Sequence, residues 1–391
     1  MLNRVFASVA AVSFALCATG AALAQEPLRI GVITVLTGPQ AALGQQVRDG
    51  FALGIKQLGG KIAGRPVEIT VVDDELKPDV AVGKVNGLIE RNKVDFVVGP
   101  VFSNILGAIH KPVVDSGVIL ISPNAGPSTF AGKGCHPNFF VTSYQNDQNH
   151  EVLGKYAQDK GFKRAFIMAP NYQAGKDSLA GFKRYFKGEI TDEVYTPLTQ
   201  LDFSAELAKI AATKPDVVFA FMPGGLGVNI VKQYKQAGLT GVIPFLSAFT
   251  VDEATLPAQQ DAALGLFGGQ MWAPNIDNPQ NKRFVADYEA NFGIVPASYA
   301  ANAYDAAMLI NSAILATKGD TSNKDALRAA LKKADFASVR GAFRFNTNGY
   351  PIQDFYLVKV AKRADGKLQT EIAERVFTDY ADSYVGECPL K

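Results

Sequence analysis

Two successive series of short, nearly continuous apolar segments, each followed by an amphipathic stretch, set the limits on what this chain can fold into. In the first, Leu28–Val35, Val67–Val72, Asp95–Val98 and Val118–Ile121 have the length and β-branched content of buried strands. Between them, Val47, Phe51, Ile55 and Leu58 recur at helical spacing until Gly59-Gly60 stops the pattern, and Ala81–Arg91 repeats it. The second series places strands at Ala165–Met168, Asp216–Phe221 and Ile243–Leu246. Its helices are expected at Ser178–Phe186, Ser204–Ala212 and Asn229–Ala237. Strands that stay apolar along their whole length, alternating with helices, imply parallel sheets covered on both faces. Two series imply two α/β lobes. The last third breaks the rhythm with two helices in succession, Asn278–Asn291 and Ala300–Thr317. Strands at Gly341–Phe345 and Phe355–Val360 follow, separated by the polar turn Asn346–Gly349. A return of this region to the first lobe would make the connection between lobes a hinge of several crossings.

The N-terminus bears on the compartment. Asn3 and Arg4 precede an apolar run from Val5 to Cys17, and Ala22-Leu23-Ala24 forms a small-x-small site before Gln25. That pattern fits a secretory leader, residues 1–24, cleaved after Ala24 and directing the chain to the periplasm. A membrane anchor is the alternative, but the run falls short of the ~20 apolar residues that span a bilayer. Cleavage would discard Cys17 and leave Cys135 and Cys388. In an oxidising compartment these two are expected to pair, although two isolated thiols remain the alternative. About 367 residues would remain, more than one typical domain holds.

Composition narrows the function classes. Charged residues make up 19% and apolar residues 48%, which suits a well-cored protein, and the net charge of +2 comes with no basic run. Nucleic-acid binding therefore has no electrostatic support. The three histidines, His110, His136 and His150, are scattered, and no Cys-x-x-Cys spacing supports zinc. Gly126–Lys133 (GPSTFAGK) has its glycines one residue too far apart for a phosphate loop, and Gly134 stands where Ser or Thr is required. Gly224-Gly225-Leu226-Gly227 reads as a tight turn, with anion cradling as the alternative. Asp73-Asp74 reads as a polar strand-end loop. No G-x-S-x-G elbow is present, and nothing assembles into a catalytic constellation, so neither an enzyme nor a cofactor is expected.

Several marks along the chain resemble the leucine/isoleucine/valine-binding receptors, the type I periplasmic binding proteins. They are Ile30-Gly31-Val32, Thr37-Gly38-Pro39, Asp49-Gly50, Gly59-Gly60 with Gly64 and Pro66, Val98-Gly99-Pro100 leading to Ser103, and Ile121-Ser122-Pro123. The resemblance implies two Rossmann-like α/β lobes around a cleft, joined by a multi-crossover hinge. It divides the chain into lobe one at 26–143 and 275–352, lobe two at 144–274 and 353–378, and a tail at 379–391. It also implies a monomeric receptor that delivers a small carboxylate to the membrane permease of an ABC importer. A ligand-sensing protein on the same fold is the competing use, and a periplasmic enzyme a third.

The carboxylate-binding serine of that family falls on Ser103, for which a helix N-cap is the plain alternative. The backbone-contact segment falls on Asn124, Ala125 and Gly126. The departures carry more information. The family's threonine falls on Gly126, its lobe-two tyrosines on Ala174 and Pro223, and the acid that pairs with a ligand ammonium on Phe249. A buried ammonium without an acceptor is costly, so the resemblance with these departures implies a ligand lacking one. Phe102, Tyr172, Phe221, Phe249 and Tyr299 would add aromatic surface, which favours a benzoate- or cinnamate-like acid. The segment Ser122–Pro127 (SPNAGP) resembles members serving aromatic-acid uptake; an amino-acid receptor is the alternative.

Overall fold

The computed structural model describes residues 26–390. The expected leader with Cys17, and Lys391, lie outside them. In the first half run β1 (Leu28–Thr34), α1 (Ala41–Gln57), β2 (Lys61–Ile62), β3 (Arg65–Asp73), α2 (Pro78–Glu90) and β4 (Phe96–Val98). Then come α3 (Ser103–Asp115), β5 (Ile119–Ser122), α4 (Ser128–Ala131) and β6 (Phe139–Val141). The sheet order is β2-β3-β1-β4-β5-β6, parallel throughout except for the β2–β3 hairpin. β4, β5 and β6 are buried along their whole length, as continuous apolar runs in a doubly covered sheet should be.

The chain then crosses to a second sheet. Its elements are α5 (Gln148–Asp159), β7 (Arg164–Pro170), α6 (Gln173–Tyr185), β8 (Glu189–Thr196), α7 (Ser204–Thr213) and β9 (Val217–Ala220). They continue with α8 (Gly225–Gln236), β10 (Phe245–Ser247), α9 (Leu256–Gln259) and β11 (Phe267–Gln270). Strands β8-β7-β9-β10-β11 pair in parallel. Three helices, α10 (Pro279–Phe292), α11 (Ser298–Ala316) and α12 (Lys324–Lys333), return to the first sheet, where α11 packs along α1. At that contact a Cβ on Gly50 would lie 2.2 Å from the Ala300 carbonyl, so only glycine permits the approach. Finally β12 (Arg344–Phe345), β13 (Pro351–Lys362) and β14 (Leu368–Tyr380) add antiparallel strands beside β11. Each sheet with its covering helices makes a lobe.

The pattern of short apolar strands and helices is present, with differences at element ends. Helices α2, α6 and α8 begin three to five residues before the sequence-based starts, and Gly224–Gly227 opens α8 rather than forming an isolated turn. Strand β12 covers only Arg344–Phe345 and pairs with Pro351 and Ile352 of β13. The lobe boundary expected at residue 352 therefore falls inside a strand pairing. The short strands β2, β6 and β11 have no counterpart among the expected strands, and neither do the longer β8 and β14. Both are edge strands, and EITDEVYT and LQTEIAERVFTDY intersperse charges that an edge tolerates and an apolar-run criterion rejects.

Three crossings join the lobes, at residues 142–147 between β6 and α5, 271–278 between β11 and α10, and 334–343 between α12 and β12. A buried cation stitches two of them. Arg340 Nη1 donates to the Ser143 carbonyl (3.0 Å) and to Gln353 Oε1 (2.8 Å), and Nη2 pairs with Asp305 at 2.9 Å. Away from the hinge, Glu289 of α10 receives Arg363 and Lys367 from the β13–β14 hairpin. The amide of Gly225, at the start of α8, donates to the Pro39 carbonyl and to Gln40 Oε1.

The tail after β14 folds back over both lobes. Tyr384 donates to Asp147 Oδ2 at 2.8 Å, Asp382 accepts from Asn348, and Cys388 is bonded to Cys135 with Cα atoms 5.7 Å apart. Thiol titration of the denatured, unreduced chain beginning at Gln25 should find no free thiol; two per chain would refute the bridge. Cys388→Ser should lower the melting temperature and leave ligand affinity largely unchanged. The chain-entropy model allows up to ~5 kcal/mol for so long a loop, less where the tail detaches without unfolding the lobes.

Candidate functional site

A narrow cavity lies between the two sheets, at the C-terminal ends of their strands, where open α/β sheets place ligands. The space free of protein atoms, mouth included, is ≈ 360 Å³. The site is a slot rather than a chamber.

The first sheet contributes through the loops after β4 and β5. The chain is extended at Phe102 (φ −100°, ψ 138°) and turns helical at Ser103, the first residue of α3. Ser103 is therefore not the N-cap; Phe102 holds that position, and the serine side chain caps nothing. Ser103 Oγ accepts from Asn146 Nδ2 at 3.2 Å, which leaves its O–H free to donate. Asn124 and Ala125 line the slot beside it. Asn124 Oδ1 accepts from the Tyr144 hydroxyl at 2.7 Å and its Nδ2 donates to the Val101 carbonyl, so this amide is fixed.

The second sheet contributes through the loops after β7, β9 and β10. Tyr172 and Ala174 flank the start of α6, and Phe221 and Pro223 follow β9. Phe249 follows β10 in a left-handed conformation, φ 57°, which is sterically unfavourable for a bulky residue. Thr250 holds it there: its Oγ1 donates to the Ala220 carbonyl and accepts from the Met222 amide. Tyr299, from the start of α11, comes to 5.9 Å of the Phe249 ring.

The aromatic rings form two near-parallel pairs, whose members Phe221 and Phe249 meet edge-on at 6.3 Å. Tyr144 stacks on Phe249 with centroids 5.0 Å apart, and Tyr172 lies nearly parallel to Phe221 at 6.2 Å. Burial raises the Tyr144, Tyr172 and Tyr299 phenols above the ordinary tyrosine value, and a nearby Asp252 adds to this at Tyr299, so all three remain neutral donors.

Gly126 stands apart from the other expected contacts. Its amide donates to Asn146 Oδ1 at 3.0 Å and its carbonyl accepts from the Asn146 amide, so its backbone is engaged behind the wall rather than offered to the slot. A Cβ there would meet the Tyr144 carbonyl at 1.9 Å, which explains glycine where the resemblance implies threonine.

Five lining residues were not anticipated: Leu43, Val101, Tyr144, Asn146 and His150. The last three belong to a segment, Thr142–Glu151, that is rich in amides and hydroxyls and is buried throughout. Asn146 also donates to Asp177 of α6 at 2.8 Å, and Asp177 receives the Ser128 hydroxyl at 2.8 Å. Burial raises the Asp177 carboxyl while these bonds pull it down. One relay thus runs from α6 through Asn146 to Ser103.

The chemistry available is recognition of an anion with an apolar, flat body. The starts of α3 and α6 bring unpaired amides and partial positive charge from opposite lobes. Ser103 adds a hydroxyl donor. Among the described residues no acidic side chain lines the slot, no cluster of His, Cys, Asp and Glu is arranged to hold a metal ion, and no helix is long and apolar enough to cross a membrane.

Residues 27–367 match the model of a family described as periplasmic binding protein. A Leu/Ile/Val-binding protein homologue of Brucella melitensis is 29% identical over 354 residues, 87% of this chain and 89% of the relative. A solute-binding protein of an ABC transporter from R. palustris, solved in complex with benzoate, superposes with a TM-score of 0.88 at 32% identity, covering 93% of this chain and all of that one. Another from Rhodopseudomonas palustris BisB5, in complex with 3,4-dihydroxybenzoic acid, gives 0.86 at 30% identity over 92% and 99% of the two chains.

Proposed function

The chain belongs to the periplasmic binding protein family, and from that premise we propose that it captures a benzoate- or cinnamate-type carboxylate between its lobes and delivers it to the permease of an ABC importer. The observation that carries this reading is the composition of the slot. Phe249, which the resemblance sets where an amino-acid receptor carries an acid, stacks on Tyr144 at the slot wall. A ligand ammonium would meet aromatic faces and no carboxylate at the wall, at a desolvation cost of several kcal/mol. A flat aromatic acid instead meets aromatic faces and edges along its body, with its carboxylate toward Ser103 and the helix starts. Relatives that bind benzoate and 3,4-dihydroxybenzoic acid support the same chemistry.

One observation favours a second reading, amino-acid capture. Asp252, three residues past Phe249, is buried with Oδ2 unpartnered, and burial pushes its carboxyl up to about 6. A small backbone shift would be needed to present it.

A thermal-shift screen decides between the two. Benzoate and cinnamate should stabilise the protein, by ~2.7 kcal/mol at a hundredfold excess over Kd. Leucine, isoleucine and valine should not. Stabilisation by leucine with none by aromatic acids would replace this reading with the second.

A further inference from the structure

Resting on the aromatic-acid reading, we propose that His150 is the specificity residue that reads a hydroxyl on the ligand ring, so that the preferred ligands are hydroxybenzoates rather than benzoate itself. His150 sits in the first turn of α5 and lines the slot at 2% exposure. Its Nδ1 is buried and unpartnered, and no hydrogen bond among the described residues uses the ring. Its surroundings are Phe219, Phe221 and Phe249, with centroids at 5.6, 5.0 and 6.2 Å and rings near edge-on. The imidazole therefore belongs to the part of the slot that holds the ligand's apolar body.

The chemistry follows from this placement. Burial pushes the ring down to about 3, so it is neutral at physiological pH, with one N–H donor and one bare acceptor. A neutral imidazole does not serve as the counter-ion of a carboxylate. A phenolic hydroxyl both donates and accepts, so it matches the ring in either tautomer. A buried nitrogen left unmatched is penalised. The unsubstituted acid leaves it unmatched and the hydroxylated acid does not. A site built to bond a ligand hydroxyl rejects the analogue lacking it far more strongly than an apolar pocket rejects an added group.

Calorimetry with benzoate, 3-hydroxybenzoate and 4-hydroxybenzoate tests this on the native protein and on His150→Leu, whose melting curve is recorded alongside. The native protein should bind at least one hydroxybenzoate about tenfold or more tighter than benzoate. In the variant the ratio of hydroxybenzoate to benzoate affinity should fall to about one. Equal native affinities, or a ratio that survives in the variant, overturn the role of His150 and leave the aromatic-acid reading standing. Failure of all three acids to bind the native protein overturns both. Should the variant not fold, ¹⁵N-histidine spectra of the native protein serve instead, with only three histidines to assign. The His150 nitrogens should shift with the preferred hydroxybenzoate and not with benzoate; identical shifts with both overturn the proposal.

Discussion

Arg340→Ala should destabilise the protein by about 3–5 kcal/mol, seen as a lower urea midpoint. The guanidinium is 2% exposed and its partner Asp305 is fully buried. Truncation strands the Asp305 carboxylate, whose remaining donors are the Ser338 hydroxyl and the Val339 amide. It also removes the bonds from the α12–β12 crossing to Ser143, in the first crossing, and to Gln353 of β13. Burial alone pushes Asp305 up and Arg340 down, against the effect of their pairing. Replacing both with leucine should therefore recover much of the loss. A single variant as stable as the native protein would show that the hinge does not depend on the pair.

Ser103→Ala should weaken binding of the aromatic acid selected by the thermal screen about tenfold or more, with folding intact. A hydroxyl donor to a carboxylate is a charge-assisted bond worth ~1.5–3 kcal/mol. Asn146 loses one acceptor in the variant but keeps Asp177 at 2.8 Å, so the relay behind the site persists. Calorimetry should show the loss in enthalpy and affinity together. Unchanged affinity would mean that the helix amides alone hold the carboxylate.

What the sequence disclosed depended on how far each feature follows from local pattern. Buried strands such as VILI and DVVFAF announce themselves because burial on both faces demands apolar residues in sequence. β8 and β14 did not, because an edge strand answers to solvent on one side. Phe102, Tyr172, Phe221, Phe249 and Tyr299 all come to the slot wall, since loops after parallel strands converge on one edge. Tyr144, Asn146 and His150 were opaque for the opposite reason. A string such as TSYQNDQNHE has the composition of a solvated loop, and only the closing of two lobes around a hinge buries it. The outcome at His150 shows the limit of counting histidines by spacing. It gains its meaning from Phe221 and Phe249, which are more than seventy residues further on.

Some of the contacts that hold the lobes together involve no ligand atom. Glu289 grips the β13–β14 hairpin, and Pro39 with Gln40 meets the first turn of α8. Such contacts favour the shut outline whether or not cargo is aboard, and the ligand adds only its own differential affinity for that outline. A permease that judges the receptor by silhouette alone would then be docked by empty molecules as well. Every 1.4 kcal/mol of cargo-independent bias makes the empty shut form ten times more abundant relative to the open one. On the proposed reading, mutating Glu289 would change the share of empty shut receptor rather than the choice of ligand.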